Sequence, residues 1–139
     1  LLIYCHYDVQ PVDPLDEWIT TPFEPTIREG EVYARGACDN KGQCFYTILA
    51  IKSLLKTYSK LPVNLKFVIE GEEESGSVGI SQIIPSKKEA LKSDYLIIVD
   101  SGIDSMHQPA ITLGARCLVC FQLTLQEADY DLHSGVAGG

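Results

Sequence analysis

No apolar run in the 139 residues approaches the ~18–20 that a membrane-spanning helix requires. Basic residues are also scarce. Eleven Lys and Arg stand against nineteen Asp and Glu, a net charge of -8. That balance opposes binding to nucleic acid or to an anionic membrane surface, so neither is expected as a partner. There is no collagen-like period and no low-complexity tract. Cysteines are present at 5, 38, 44, 117 and 120, but five is an odd number and the spacing matches no small secreted scaffold. A disulfide framework is therefore not expected, and a reducing, cytoplasmic compartment is. What remains is an ordinary globular balance, 45% hydrophobic and 22% charged, enough for one modest core.

The chain opens on Leu1-Leu2-Ile3-Tyr4, which reads as a buried strand already under way, without an initiator Met or a signal-peptide pattern. It closes on Ser134-Gly135-Val136-Ala137-Gly138-Gly139 with no capping element. The expectation is a piece of a longer protein, with any targeting signal outside it.

Residues 1–9 read as a strand ending in His6-Tyr7-Asp8. Pro11, Pro14, Pro22, Pro25 and Gly30 make residues 10–31 a loop or short hairpin. From about residue 40, Phe45, Ile48, Leu49, Ile51, Leu54, Leu55 and Tyr58 recur at helical spacing, with Pro62 beyond the end. Residues 63–69 predict a strand and 70–77 an acidic turn. Helical propensity over 78–92 meets Pro85, which is expected to break or kink it. Tyr95 to Val99 reads as a third buried strand. This alternation predicts an α/β fold, a mostly parallel mixed sheet flanked by helices. After Pro109, apolar residues occupy every second position from Ile111 to Leu125, the pattern of one long strand with a single buried face. The expected division is 1–112 as the first part of a catalytic domain and 113–139 as the start of an α+β lid.

Polar clusters fall where strands end or helices begin: His6/Asp8, Asp39/Asn40, Glu72/Glu73/Glu74 and Asp100. The carboxyl ends of strands in an open α/β sheet form its ligand crevice, so these distant residues can meet. One imidazole among several carboxylates suits either a divalent metal site or a general acid/base pair, because crowded carboxylates repel unless metallated or protonated. His6 and Asp8, two apart, share a strand face, so that Asp8 can orient the imidazole. Each piece has a plainer role. Asp39 fits a helix N-cap, the Glu run a solvated turn, and Asp100 the start of a turn. Cys117-x-x-Cys120 lies within the alternating pattern, where its side chains point to opposite faces, so it reads as strand rather than zinc knuckle or redox pair. Lys41-Gly42 lacks the preceding glycines of a phosphate loop. Trp18 reads as local packing, Arg116 as structural and His107 as a surface residue.

Taken together and in order, five segments carry a specific resemblance. They are His6-Tyr7-Asp8-Val9-Gln10-Pro11, Gly36-Ala37-Cys38-Asp39-Asn40-Lys41-Gly42, Glu70-Gly71-Glu72-Glu73-Glu74-Ser75-Gly76-Ser77, Val99-Asp100 and Asp131-Leu132-His133-Ser134-Gly135. The set resembles the carnosinase/aminoacylase/desuccinylase family of co-catalytic zinc metallopeptidases, and its form is nearest to the dipeptidase branch. The resemblance implies two divalent metal ions, zinc or alternatively manganese. His6 and Asp100 would bind one, Glu74 the other, and Asp39 would bridge them. Asp8 would orient His6, and Glu73 would serve as general base. His133 would reach a partner subunit's site, which implies a homodimer. The peptide bond after the bridging Asp is typically cis in the family. Many members carry a second Asp where this chain has Asn40. Neither His107 nor His133 matches the family's last metal-ligating histidine.

The implied activity is hydrolysis of the amide bond of a dipeptide or short peptide. The alternative within the family is deacylation of an N-acyl amino acid. The contrasting expectation is a catalytically incomplete, non-enzymatic piece, inactive and poorly soluble alone.

Overall fold

The computed structural model describes residues 1–102, 105, 108 and 110–126. The chain divides into two compact units, Leu1–Pro109 and Ala110–Gly139. In the first, β1 (Leu2–His6) is followed by an irregular stretch with a single 3-10 turn and then a small antiparallel hairpin of β2 (Thr26–Arg28) and β3 (Glu31–Tyr33). Helix α1 (Lys41–Tyr58), β4 (Lys66–Glu70), α2 (Val78–Leu91) and β5 (Leu96–Ile98) complete it. The three longer-range strands form one parallel sheet in the order β4-β1-β5. Parallel strands need long crossovers, and the hairpin with α1 and then α2 supply them. The α/β class and the element order follow the sequence pattern.

β1 sits at the centre because it pairs on both edges, with His6 opposite Glu70 on one side and Tyr4 opposite Ile98 on the other. Ile3 and Cys5, two apart and so on one face, are buried. Helix α1 packs against β1, and its Cys44 meets Cys5. Burial, reinforced by Cys44, pushes the Cys5 thiol up to about 12. Most other apolar side chains stay exposed, including Phe45, Leu54 and Ile69.

Three expectations are corrected. β5 is an edge strand, and all three of its residues are exposed rather than buried. Pro85 lies inside an uninterrupted α2. The backbone bond it removes is from an exposed helix, where the freed carbonyl can be solvated. Residues 110–126 carry no strand assignment. An alternating pattern becomes a strand only when a ladder partner takes up its backbone groups, and no strand among the described residues pairs with it. Among the described residues no helix is long and apolar enough to cross a membrane.

Candidate metal centre

The site lies at the carboxyl ends of β1 and β5 and the start of α1. His6 closes β1 and is almost wholly buried, at 1% exposure. Its Nδ1 lies 3.2 Å from the Asp8 carbonyl oxygen and 3.3 Å from Asp8 Oδ1. With two oxygens there, Nδ1 keeps its hydrogen and Nε2 presents a lone pair. Nε2 is buried and has no hydrogen-bond partner. It nevertheless lies 3.0 Å from Asp39 Oδ1, 3.5 Å from Asp100 Oδ2 and 3.8 Å from Glu73 Oε2. Ligand atoms of His6, Asp39 and Asp100 all fall within 4.8 Å of one another. A nitrogen lone pair and carboxylate oxygens converging without hydrogen bonds among them match the donor chemistry of a divalent cation such as zinc.

Local sequence explains the convergence. The turn before α1 is held tight at Gly42, where a Cβ would collide with the Ala37 carbonyl oxygen. The Asp39-Asn40 peptide bond is cis, as the family resemblance implies. Asp39 is not the helix cap. Asn40 occupies that position and makes no side-chain cap bond. Instead Asn40, fully buried, accepts from the His6 N–H at 3.2 Å and donates to the Val99 carbonyl at 2.5 Å and Asp100 Oδ1 at 3.0 Å.

The acidic turn after β4 is clamped from the other side. Asp8 Oδ2 accepts from the Glu74 N–H at 2.9 Å, so one carboxylate touches both the imidazole and the Glu73–Ser75 turn. Gln10 Nε2 donates to Glu74 Oε2 at 2.6 Å. Glu74 therefore turns its carboxylate toward Gln10, outside the three-residue cluster, and Glu73 is the turn residue nearest His6 Nε2. Beneath them Glu70, 8% exposed, accepts from the hydroxyls of Tyr4 and Ser77. Burial foremost, then the Glu70 carboxylate, raises the Tyr4 phenol far above its ordinary range.

Charge follows this geometry. Burial lowers the His6 pKa, but the carboxylates of Asp100, Glu73 and Asp39 and the Asp8 carbonyl outweigh it, and the net shift is upward. Burial raises Glu73, and the like charges of Asp100, Glu74 and Asp39 raise it further against the pull of His6. Burial would raise Asp8 too, yet the N–H groups of Glu74, Glu73 and Asp8 itself, with His6, hold it below the usual range.

Of the residues expected to meet, His6, Asp8, Asp39, Glu73 and Asp100 lie together, while the Glu74 carboxylate is turned to Gln10. Sequence reasoning passed over the structural work of Asn40 and Gln10, although both sit inside the quoted motifs. His133 and His107 lie outside the described residues. Trp18 does pack locally, donating to the Val12 carbonyl at 2.9 Å with the Arg35 guanidinium over its ring. It also lines a cavity of about 870 Å³ whose wall includes Tyr33, Tyr46 and Arg28, with Ala37-Cys38 and Ser101-Gly102 beside the ligand positions. Cys117 and Cys120 are exposed free thiols.

Residues 2–137 match the peptidase family M20/M25/M40. The chain belongs to that family. It is 42% identical to the Beta-Ala-His dipeptidase of Homo sapiens over 138 residues, 98% of this chain and 27% of that protein. It is 39% identical to the Cys-Gly metallodipeptidase dug1 of Schizosaccharomyces pombe over 142 residues, all of this chain and 30% of that one. Among solved structures, an M20 family metallo-carboxypeptidase, Sso-CP2 from Sulfolobus solfataricus, superposes with a TM-score of 0.70 at 49% identity, covering 73% of this chain and 23% of that one. Human carnosine dipeptidase 1 gives 0.65 at 41%, over 72% and 22%. The chain thus spans less than a third of the length of these curated M20 relatives.

Proposed function

We propose that this chain supplies the metal-binding end of an M20 catalytic domain whose whole protein hydrolyses the amide bond of dipeptides. The observation that carries this reading is the convergence of His6, Asp39 and Asp100 within 4.8 Å, with Glu73 Oε2 3.8 Å from His6 Nε2. The names of the similar proteins, dipeptidases for Beta-Ala-His and Cys-Gly, support the substrate class. Zinc fits the mixed nitrogen and oxygen donors, and manganese is the alternative. Two ions are proposed, with Asp39 shared between them, His6 and Asp100 on one and Glu74 on the other. Glu74 would exchange its Gln10 contact for that role.

When bound, the ions supply Lewis acidity and a water acidified toward neutrality. The chain's own residues do the rest. Asp8 holds the Nδ1–H tautomer of His6 and so turns Nε2 toward ligation. Glu73, raised above its ordinary value by burial and like charge, accepts the proton of the attacking water and delivers it to the departing amine nitrogen. His133 is proposed to stabilise the developing oxyanion in a partner subunit's site of a homodimer. A cytoplasmic setting accords with the free cysteines. The 139 residues alone are proposed to be inactive, because nothing in them matches the last metal-ligating histidine.

The test is metal content and dipeptide hydrolysis on the full-length protein, wild type beside Asp39→Ala. Bound divalent metal and turnover in the wild type, with metal affinity down at least ~100-fold and hydrolysis lost in the variant, are expected. Unchanged turnover in Asp39→Ala contradicts the reading. A parallel kcat/KM series on N-acyl amino acids separates deacylase from dipeptidase.

A further inference from the structure

From the bonds of one buried amide we infer that Asn40 is a positioning residue, which fixes the rotation of the Asp100 carboxylate and so selects the oxygen offered to metal. This rests on the metal-centre reading above. Asn40 is 0% exposed, and a buried amide must satisfy its groups within the protein. It does so at three points, one at the end of β1 and two in the segment just past β5. Oδ1 accepts from the backbone N–H of His6, at the end of β1. Nδ2 donates to the Val99 carbonyl and to Asp100 Oδ1, just past β5.

The consequence for Asp100 is geometric. Its Oδ1 is occupied by the amide at 3.0 Å, while its Oδ2 lies 3.5 Å from the orphaned His6 Nε2. One oxygen is anchored and the other is left for a cation. The same amide ties the His6 backbone to the Asp100 side chain, so the spacing of two ligand positions depends on one residue adjoining a third, Asp39. An amide suits this place because it offers an acceptor and two donors in one rigid plane. A carboxylate would set an acceptor against both Val99 O and Asp100 Oδ1, and an aliphatic side chain would leave all three groups unpaired.

The test uses the full-length protein with Zn²⁺ and Co²⁺ as probes. Affinity is measured by chelator competition, the Co²⁺ complex by visible absorption, and folding by circular dichroism. Asn40→Leu keeps the approximate shape and removes the bonds. It is expected to weaken metal affinity about 10–100-fold and to shift the Co²⁺ spectrum while secondary structure is retained. Asn40→Ala, with less bulk, is measured in parallel and carries the same expectation should the leucine variant fail to fold. Wild-type affinity and an unchanged Co²⁺ spectrum in a folded variant overturn the inference, even if its melting temperature falls, since that is the mark of a purely structural role. A wild type that binds neither ion overturns the metal-centre reading itself, a separate failure.

Discussion

β1 and β5 lie side by side in one sheet and contribute equally to the site, yet they are held in different ways. β1 is paired on both edges, buries Ile3 and Cys5 beneath α1, and delivers a buried His6. β5 is an edge strand of three residues, Leu96–Ile98, all exposed, and delivers Asp100 from just beyond its end. His6 is positioned by packing and Asp100 by hydrogen bonds, chiefly those of Asn40 and the ladder to β1. The proposed metal centre thus draws on both kinds of support, with a polar network holding Asp100 where apolar burial is lacking.

The largest expected effect tests whether the site, rather than either strand, holds the chemistry. Glu73→Gln in the full-length protein should keep its metal and lose about 10²–10⁴-fold in kcat, as measured by dipeptide hydrolysis beside metal analysis. Full turnover in that variant would remove Glu73 from the proton-transfer role.

The contrast between strands is tested next by truncating matched isoleucines. In the 139-residue chain Ile3→Ala is expected to cost about 2–4 kcal/mol in urea unfolding and Ile97→Ala about 1 kcal/mol or less. Equal losses would mean that β5 is as buried as β1. A larger loss for Ile97→Ala in the full-length protein than in the chain would identify its exposed face as one that other residues cover.

The smallest effect is the pH dependence of stability without metal. His6 has a raised folded value, so its contribution is complete below the unfolded value of about 6.5 and fades as pH rises through the folded one. Asp8 has a depressed value, so its contribution is present above about 3.9 and fades as pH falls through the folded one. Metal-free protein should therefore melt highest in mildly acidic solution, between those limits. Metal requires neutral His6, so its stabilising increment should grow as pH rises through the His6 range. Thermal melts with and without chelator check both slopes.

Much of this was legible in the sequence. Alternating strand and helix periods marked β1, α1, β4 and, apart from the expected break at Pro85, α2, and the polar residues at their ends marked the candidate site. Burial was harder to read. Tyr95–Val99 looks like core because apolar composition does not reveal whether a strand has neighbours on both sides. The alternation from Ile111 to Leu125 failed as a strand for a related reason, since its period marks a possible face but supplies no partner. Asn40 and Gln10 went unread because their importance lies in which atoms they meet across 60 or more residues in sequence, at Asp100 and Glu74. No local pattern encodes that.

The proposed centre holds one metal ion among His6, Asp39 and Asp100. The most direct test is an anomalous-difference map at the zinc absorption edge from crystals of the full-length protein. A peak is expected about 2.0–2.2 Å from His6 Nε2 and from carboxylate oxygens of Asp39 and Asp100. A zinc-loaded crystal with no peak there, or with its only peaks elsewhere, would contradict it.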